Sequence, residues 1–209
     1  MNQLLTALNW RYATKTFDPT KKISDSDLSD LLESVRLAPT SNGLQAFRLI
    51  NVKDNSIRQQ LLEATYNKSQ LSTCSDLFIF VSLKTLTQEH LDKYIQNIQQ
   101  TRNQSFDQIL NYATHLQKII TDRSPHDQQT GFALQTYIGL GFLLLTSAIK
   151  QIDACPIGGF DASKFGEILG ISNNEVVTVI CPLGYRDTSD VYTTKAKVRR
   201  PVSEFYSIK

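Results

Sequence analysis

An excess of charge of one sign is missing from this chain: 22 lysines and arginines stand against 20 aspartates and glutamates in 209 residues, a formal balance of +2. No global field draws the molecule onto DNA or another polyanion, so any anion site must be local. Cysteine is scarce. Cys74, Cys155 and Cys181 are odd in number, far apart and set among apolar neighbours. That suits buried reduced thiols in a reducing compartment rather than a disulfide framework. His90, His115 and His126 lack paired ligand spacing, so no metal site is expected. The N-terminal MNQLLTALNW is too polar for a secretory leader. The most apolar run, Tyr137 to Ile149, falls short of the roughly 20 residues that cross a bilayer. A soluble, cytoplasmic protein is expected, without nucleic-acid or membrane partners.

Catalytic signatures are absent too. No G-x-G-x-x-G follows a strand, and neither G-x-x-x-x-G-K-[ST] nor G-x-S-x-G occurs. This disfavours a Rossmann domain, a P-loop NTPase and an α/β-hydrolase. A thiol nucleophile would need Cys74 or Cys155 beside His115, and nothing in the sequence places them together.

What is present is ordinary globular composition, 41% hydrophobic and 20% charged, enough for one well-buried unit over residues 1–209. Residues 2–9 fit a short amphipathic helix, followed by a turn at DPTKKIS. Ser24 reads as an N-cap, with Asp27 three residues on and Leu28, Leu31, Leu32 and Val35 at helical spacing. PTSNGL is a loop, FRLINV (47–52) a strand, and Ile57 to Ala64 helical. LFIFVSL (77–83) is so continuously apolar that it should be a central strand covered on both faces. From Lys84 to Ser124 there is neither glycine nor proline, which predicts a broken helical excursion over about 85–124. Residues 127–150 carry the longest helical pattern, with Gly139 and Gly141 small enough to admit a close neighbour. CPIGGFD is a loop, ASKFGEILG a short helix closed by Gly170, and VVTVICPLGY a buried strand, before a polar arm over about 186–209. No repeats occur. The expected fold is α/β with three layers, a small mixed sheet flanked by helices.

Three constellations can carry chemistry. Arg11 and Lys15 lie near one end, and Lys195, Lys197, Arg199 and Arg200 near the other. Each cluster alone suits a solvated face; joined, they would offer the fork and point charges that hold a phosphate. Asn67 and Gln70, three residues apart, would face the same way on a helical turn and could read the edge of a heteroaromatic ring, or be an exposed polar pair. The two glycines of PIGGF (156–160) would let a planar ligand approach the backbone, or make a tight turn before a helix.

RYATKTF, LAPTSNGLQAF, NKSQ, PIGGFD and KVRRP, in this order over about residues 3–201, together resemble the FMN-dependent nitroreductase family. The resemblance implies an intertwined homodimer with two FMN sites at the subunit interface and NADH or NADPH as electron donor. It places Arg11, with Lys197 and Arg199, on the FMN phosphate, beside Tyr12 and Ala13. Lys15 would lie near the ribityl chain and the pyrimidine side, and Asn67 and Gln70 on the pyrimidine edge. Pro39, Thr40 and Ser41 would come from the partner subunit, and the backbone of Pro156, Ile157, Gly158 and Gly159 would face flavin N5 and O4. The implied reaction is ping-pong, with hydride passing to N5 and then electrons to a nitroaromatic, quinone or similar small acceptor. No acid-base residue is catalytic in it. A flavin, pteridine or enone reductase of the same fold, a non-catalytic flavin-binding protein and a cofactor-free interaction module are the alternatives. Three departures stand out: Ala13 replaces a hydroxyl residue, LQAF replaces a Gln-Pro-Trp ending, and Gly158 stands where one branch has glutamate.

Overall fold

The computed structural model describes residues 2–208; Met1 and Lys209, the outermost residues of the expected unit and arm, lie outside them. The chain runs α1 (Gln3–Trp10), α2 (Asp25–Arg36), a 3-10 turn at Ser41–Gly43, β1 (Phe47–Asn51), α3 (Asn55–Leu62), α4 (Lys68–Thr73) and β2 (Asp76–Leu83). It continues through α5 (Gln88–Arg102), α6 (Phe106–Asp122), α7 (Pro125–Ile149), β3 (Asp153–Ala154), α8 (Ala162–Leu169), β4 (Glu175–Gly184) and α9 (Val202–Phe205).

The strands lie in the order β1-β2-β4-β3, and each neighbouring pair is antiparallel. The parallel component expected of a mixed sheet is a single bridge among the described residues, Ala13 to Ala154. β2 is central and buried along its whole length. Its alternation splits the core: Leu77, Ile79 and Val81 pack with Leu61, Leu71 and Phe165 of α3, α4 and α8. Phe78 and Phe80 pack with Leu31 and Val35 of α2 and Leu140 and Leu143 of α7. Helices therefore cover both faces, the expected layering. Each fully buried Leu or Phe contributes about 1.5–3 kcal/mol.

Local chemistry sets the ends of these elements. The Ser24 side chain accepts from the Asp27 amide, as its spacing predicts. The glycine- and proline-free stretch is two helices, broken where Asn103 adopts a left-handed conformation and Ser105 opens a capping box with Gln108. Ser124 caps α7 and Pro125 is its first residue, ahead of residue 127, where the expected helical pattern begins.

Gly139 meets the close neighbours expected of it: an added Cβ would lie 2.9 Å from Phe47 Cζ and 3.2 Å from Val35 Cγ1. Gly141 does not, having no atom within 4 Å of such a Cβ. Among the described residues, only α7 is long and apolar enough, by length and composition, to cross a membrane, its best 18-residue window having a mean hydropathy of 1.6. The whole helix meets a test that the shorter run Tyr137 to Ile149 does not. Gln128, Gln135, Thr136 and Ser147 are nevertheless buried on the same helix as Leu140 and Leu143, the pattern of a core helix against a sheet.

All three cysteines are free and buried. Burial pushes the Cys74 thiol up to about 11 and raises Cys155 and Cys181 as well. A disulfide-exchange reagent at neutral pH is therefore expected to label none of them in the native protein and all three after denaturation; prompt labelling of the native protein would contradict this packing.

Candidate cofactor-binding site

The segment after α1 is laid along the chain that leaves β4. Phe17 bridges to Arg186, the Asp18 amide donates to Tyr185 O, and the Asp187 amide donates to Thr16 O. Gly184 makes the close approach possible: a Cβ there would lie 3.0 Å from Phe17 Cδ1 and 3.2 Å from the Ser75 amide nitrogen. Farther out, Tyr12 Oη and Thr193 Oγ1 are 3.0 Å apart. Chain positions nearly two hundred residues apart thus meet on one surface.

Two buried carboxylates fix this junction. Asp153 takes the Arg186 guanidinium through both oxygens at 2.7–3.0 Å, the Arg186 amide at 2.8 Å and the Thr14 hydroxyl at 3.1 Å. The guanidinium also stacks 4.1 Å from the Trp10 ring centre and 4.6 Å from that of Tyr12, the two residues that flank Arg11. Asp190 accepts from the amides of Lys15 (2.7 Å), Thr16 (3.3 Å) and Tyr192 (2.9 Å). Burial alone would raise the Asp190 carboxyl, but these three donors hold it below the usual range. Its contribution to stability is therefore complete above the unfolded carboxylate value and is lost as pH falls through the lower folded one. Asp190→Asn is expected to lower Tm at neutral pH and to flatten the loss of Tm on acidification; an unchanged Tm–pH curve would contradict this.

The junction walls an open cleft of about 400 Å³ lined by Trp10, Arg11, Tyr12, Ala13, Lys15, Tyr192, Thr193, Lys195, Lys197 and Arg199, among others. Among the described residues, none of its five cations forms an ion pair with a carboxylate. Burial, joined by the like charge of Arg199, pulls Arg11 below its ordinary value, and burial with Arg11 and Arg199 does the same to Lys197. Crowded cations without counter-ions favour an incoming anion. Lys197 Nζ also donates to the carbonyls of Leu8 and Arg11, capping the end of α1 and tying the arm to it. One of its three protons remains for a ligand.

Of the residues singled out in the sequence, Arg11, Tyr12, Ala13, Lys15, Lys197 and Arg199 line this cleft. Pro156, Ile157, Gly158 and Gly159 follow directly on Cys155, beside the Ala13–Ala154 bridge. Gly158 and Gly159 are exposed, with open space where a Cβ would lie. Thr65 bridges to Phe160, bringing Asn67 and Gln70 up to this loop, where Gln70 Nε2 lies 3.4 Å from Asn67 Oδ1 on one side of α4. Asn67, Gln70, Pro156, Ile157, Gly158 and Gly159 are not among the residues lining the cleft, and neither are Pro39, Thr40 and Ser41. The cations of the cleft suit a phosphorylated ligand; outside its lining, Gly158 and Gly159 are exposed, while Gln70 is buried against Asn67 and the Ile157 amide and carbonyl are both taken by Ile180.

Asp153, Arg186 and Asp190 were missed in the sequence. Their partners are distant in the chain, and nothing local distinguishes a buried carboxylate from an exposed one.

Residues 8–185 match the Nitroreductase family. A Staphylococcus haemolyticus protein assigned as an NAD(P)H nitroreductase is 31% identical over 213 residues, covering 96% of this chain and 94% of that protein. Two crystal structures share the fold. One, assigned as an NAD(P)H:FMN oxidoreductase of Staphylococcus epidermidis, has a TM-score of 0.89 at 20% identity and covers 100% of this chain and 97% of that one. The other, assigned as a nitroreductase of Exiguobacterium sibiricum and solved in complex with FMN, has a TM-score of 0.85 at 17% identity and covers 99% and 97%. With its cleft at the meeting of the two chain ends and a match that spans most of the sequence, this chain belongs to the nitroreductase family.

Proposed function

We propose that this protein is a cytoplasmic NAD(P)H-dependent FMN oxidoreductase, a single FMN-binding unit over residues 1–209 acting as a homodimer. Its acceptors would be nitroaromatics, quinones or similar small molecules, reduced by a ping-pong mechanism. The observation that carries the reading is the convergence of Arg11, Lys15, Lys197 and Arg199 on one cleft with no carboxylate partner among the described residues. Arg11, Lys197 and Arg199 would hold the FMN phosphate, with Tyr12 and Ala13 forming the wall between the cations. Because Ala13 has no hydroxyl, that end of the clamp relies on charge. Lys15 would sit on the ribityl and pyrimidine side, where a cation favours negative charge on the ring. Asn67 and Gln70 would pair with the pyrimidine edge, and the backbone of Gly158 and Gly159 would face the reactive edge; the Ile157 amide and carbonyl are taken by Ile180 and Pro156 has no N–H, so those two serve to place the glycines. Bound FMN would supply the redox chemistry, accepting hydride from NADH or NADPH and passing electrons to the acceptor.

Exposed apolar residues support the homodimer: Leu5 on α1, Leu134 and Tyr137 on α7, and Val202, Phe205 and Ile208 on the arm. Pro39, Thr40 and Ser41 would then enter the partner's site.

Initial rates with FMN-loaded protein, varying NADPH at several fixed concentrations of a simple quinone, are expected to give parallel double-reciprocal lines. Intersecting lines would overturn the ping-pong assignment.

A further inference from the structure

The loop 39–45 is held in an unusual shape from a distance. Asn42 (φ 56°), Gly43 (φ 71°) and Gln45 (φ 44°) all lie in the left-handed region, which costs free energy for residues other than glycine. Within the loop, the Gln45 amide donates to Thr40 Oγ1 at 3.1 Å. The Gly43 and Leu44 amides also donate to Thr40 O and Ser41 O, and Gln45 Nε2 to Arg36 O; a further restraint comes from the two helices of the excursion. Tyr94 of α5 and Tyr112 of α6 both donate their hydroxyls to one acceptor, Asn42 O, at 2.7 and 2.8 Å. That carbonyl has two lone pairs, and the two tyrosines occupy both. Burial, then the neighbouring Tyr112, pushes Tyr94 up to about 12, so its hydroxyl stays a donor through the neutral range. The fit is tight, since a Cβ on Gly43 would stand 2.6 Å from Tyr94 Oη. Both rings pack against the cluster of Ala46, Leu86, Leu91, Leu116 and Phe132, which fixes where the hydroxyls point.

We infer that Tyr94 and Tyr112 are positioning residues for the cofactor site: they clamp the 39–45 loop in the conformation that presents Pro39, Thr40 and Ser41 to the FMN held by a second copy of the chain. This rests on the FMN homodimer reading above. The clamp ties the helical excursion to the loop. The hydroxyls touch no reacting atom; they act through the Asn42 carbonyl.

The test uses Tyr94→Phe, Tyr112→Phe and the double variant as full-length protein, with the FMN dissociation constant and the visible circular dichroism of bound FMN as readouts. Phenylalanine keeps the packing and removes only the donors. Each single variant is expected to weaken FMN binding by about threefold and the double by about tenfold, with altered visible dichroism, well below the melting temperature. A second comparison needs no cofactor: Gly43→Ala should lower Tm less in the Tyr94→Phe background than in the wild type, because the clashing oxygen is gone. Wild-type protein that binds no FMN would overturn the functional reading and this inference together. Wild-type protein that binds FMN, with the double variant unchanged in affinity and dichroism, would overturn the inference alone, as would strictly additive effects of Gly43→Ala and Tyr94→Phe on Tm.

Discussion

Replacing Lys197 and Arg199 together by alanine is expected to weaken FMN binding by more than a hundredfold, leaving protein that purifies without cofactor. A charge-assisted hydrogen bond to a phosphate is worth roughly 1.5–3 kcal/mol, so losing two removes about 3 kcal/mol even at the lower end. The two residues separate in the single variants. Arg199 is exposed and, among the described residues, its side chain bonds only the carbonyl of its neighbour Val198, so Arg199→Ala should reduce affinity with little change in Tm. Lys197 also holds the carbonyls of Leu8 and Arg11, so Lys197→Ala should reduce affinity and loosen the arm from α1 together. Raising the salt concentration should weaken FMN binding in the wild type more than in the double variant, because the lost contacts are the screened ones. Normal FMN retention by the double variant, measured by fluorescence titration, would remove these residues from the site.

The second large effect is expected at Arg186. The Asp153 carboxylate is 3% exposed and depends on this guanidinium for its charge partner. Removing one member of a buried pair costs about 3–5 kcal/mol, because the other is left uncompensated. At about 2–4 °C per kcal/mol for a chain of this size, Arg186→Ala should lower Tm by about 10 °C. It also removes the cation stacked between Trp10 and Tyr12, freeing the residues on either side of Arg11. FMN affinity should therefore fall although Arg186 is not among the residues lining the cleft. Asp153→Asn combined with Arg186→Met should be less destabilising than Arg186→Ala alone, since neither member then leaves a buried charge. A shift of less than about 2 °C for Arg186→Ala would show that the pair does not fix the junction.

The parts of this molecule that were legible in the sequence are those set by near neighbours. Ser24 with Asp27, the apolar run of β2, Gly170 after α8 and the cationic motifs at the two ends each carry their signal within a few residues. Order in the chain made the motifs recognisable together, and the meeting of the ends follows from that resemblance rather than from local pattern. What the sequence hid depends on the third dimension. Lys197 reads as a free cation, yet two of its protons go to carbonyls at the end of α1. Gly139 and Gly141 read alike, but only one faces Phe47 and Val35. The sheet reads as mixed, and its ladders are antiparallel because β1, β2 and β4 alternate in direction across the long helical connections, leaving only the Ala13–Ala154 bridge parallel. Asp153 and Arg186 lie 33 residues apart on opposite sides of β4, with no local pattern to join them. Asn42 is an ordinary loop residue by composition; its role as acceptor for Tyr94 and Tyr112 appears only when α5 and α6 fold back over it.

In the proposed function the two chain ends build a cofactor site for redox chemistry. Its most direct test is the visible absorption spectrum of the purified protein, reconstituted with FMN if necessary, before and after anaerobic addition of NADH or NADPH. Flavin bands that bleach on addition of the nicotinamide and return with a quinone are expected. A colourless protein that cannot be reconstituted with FMN would contradict that function.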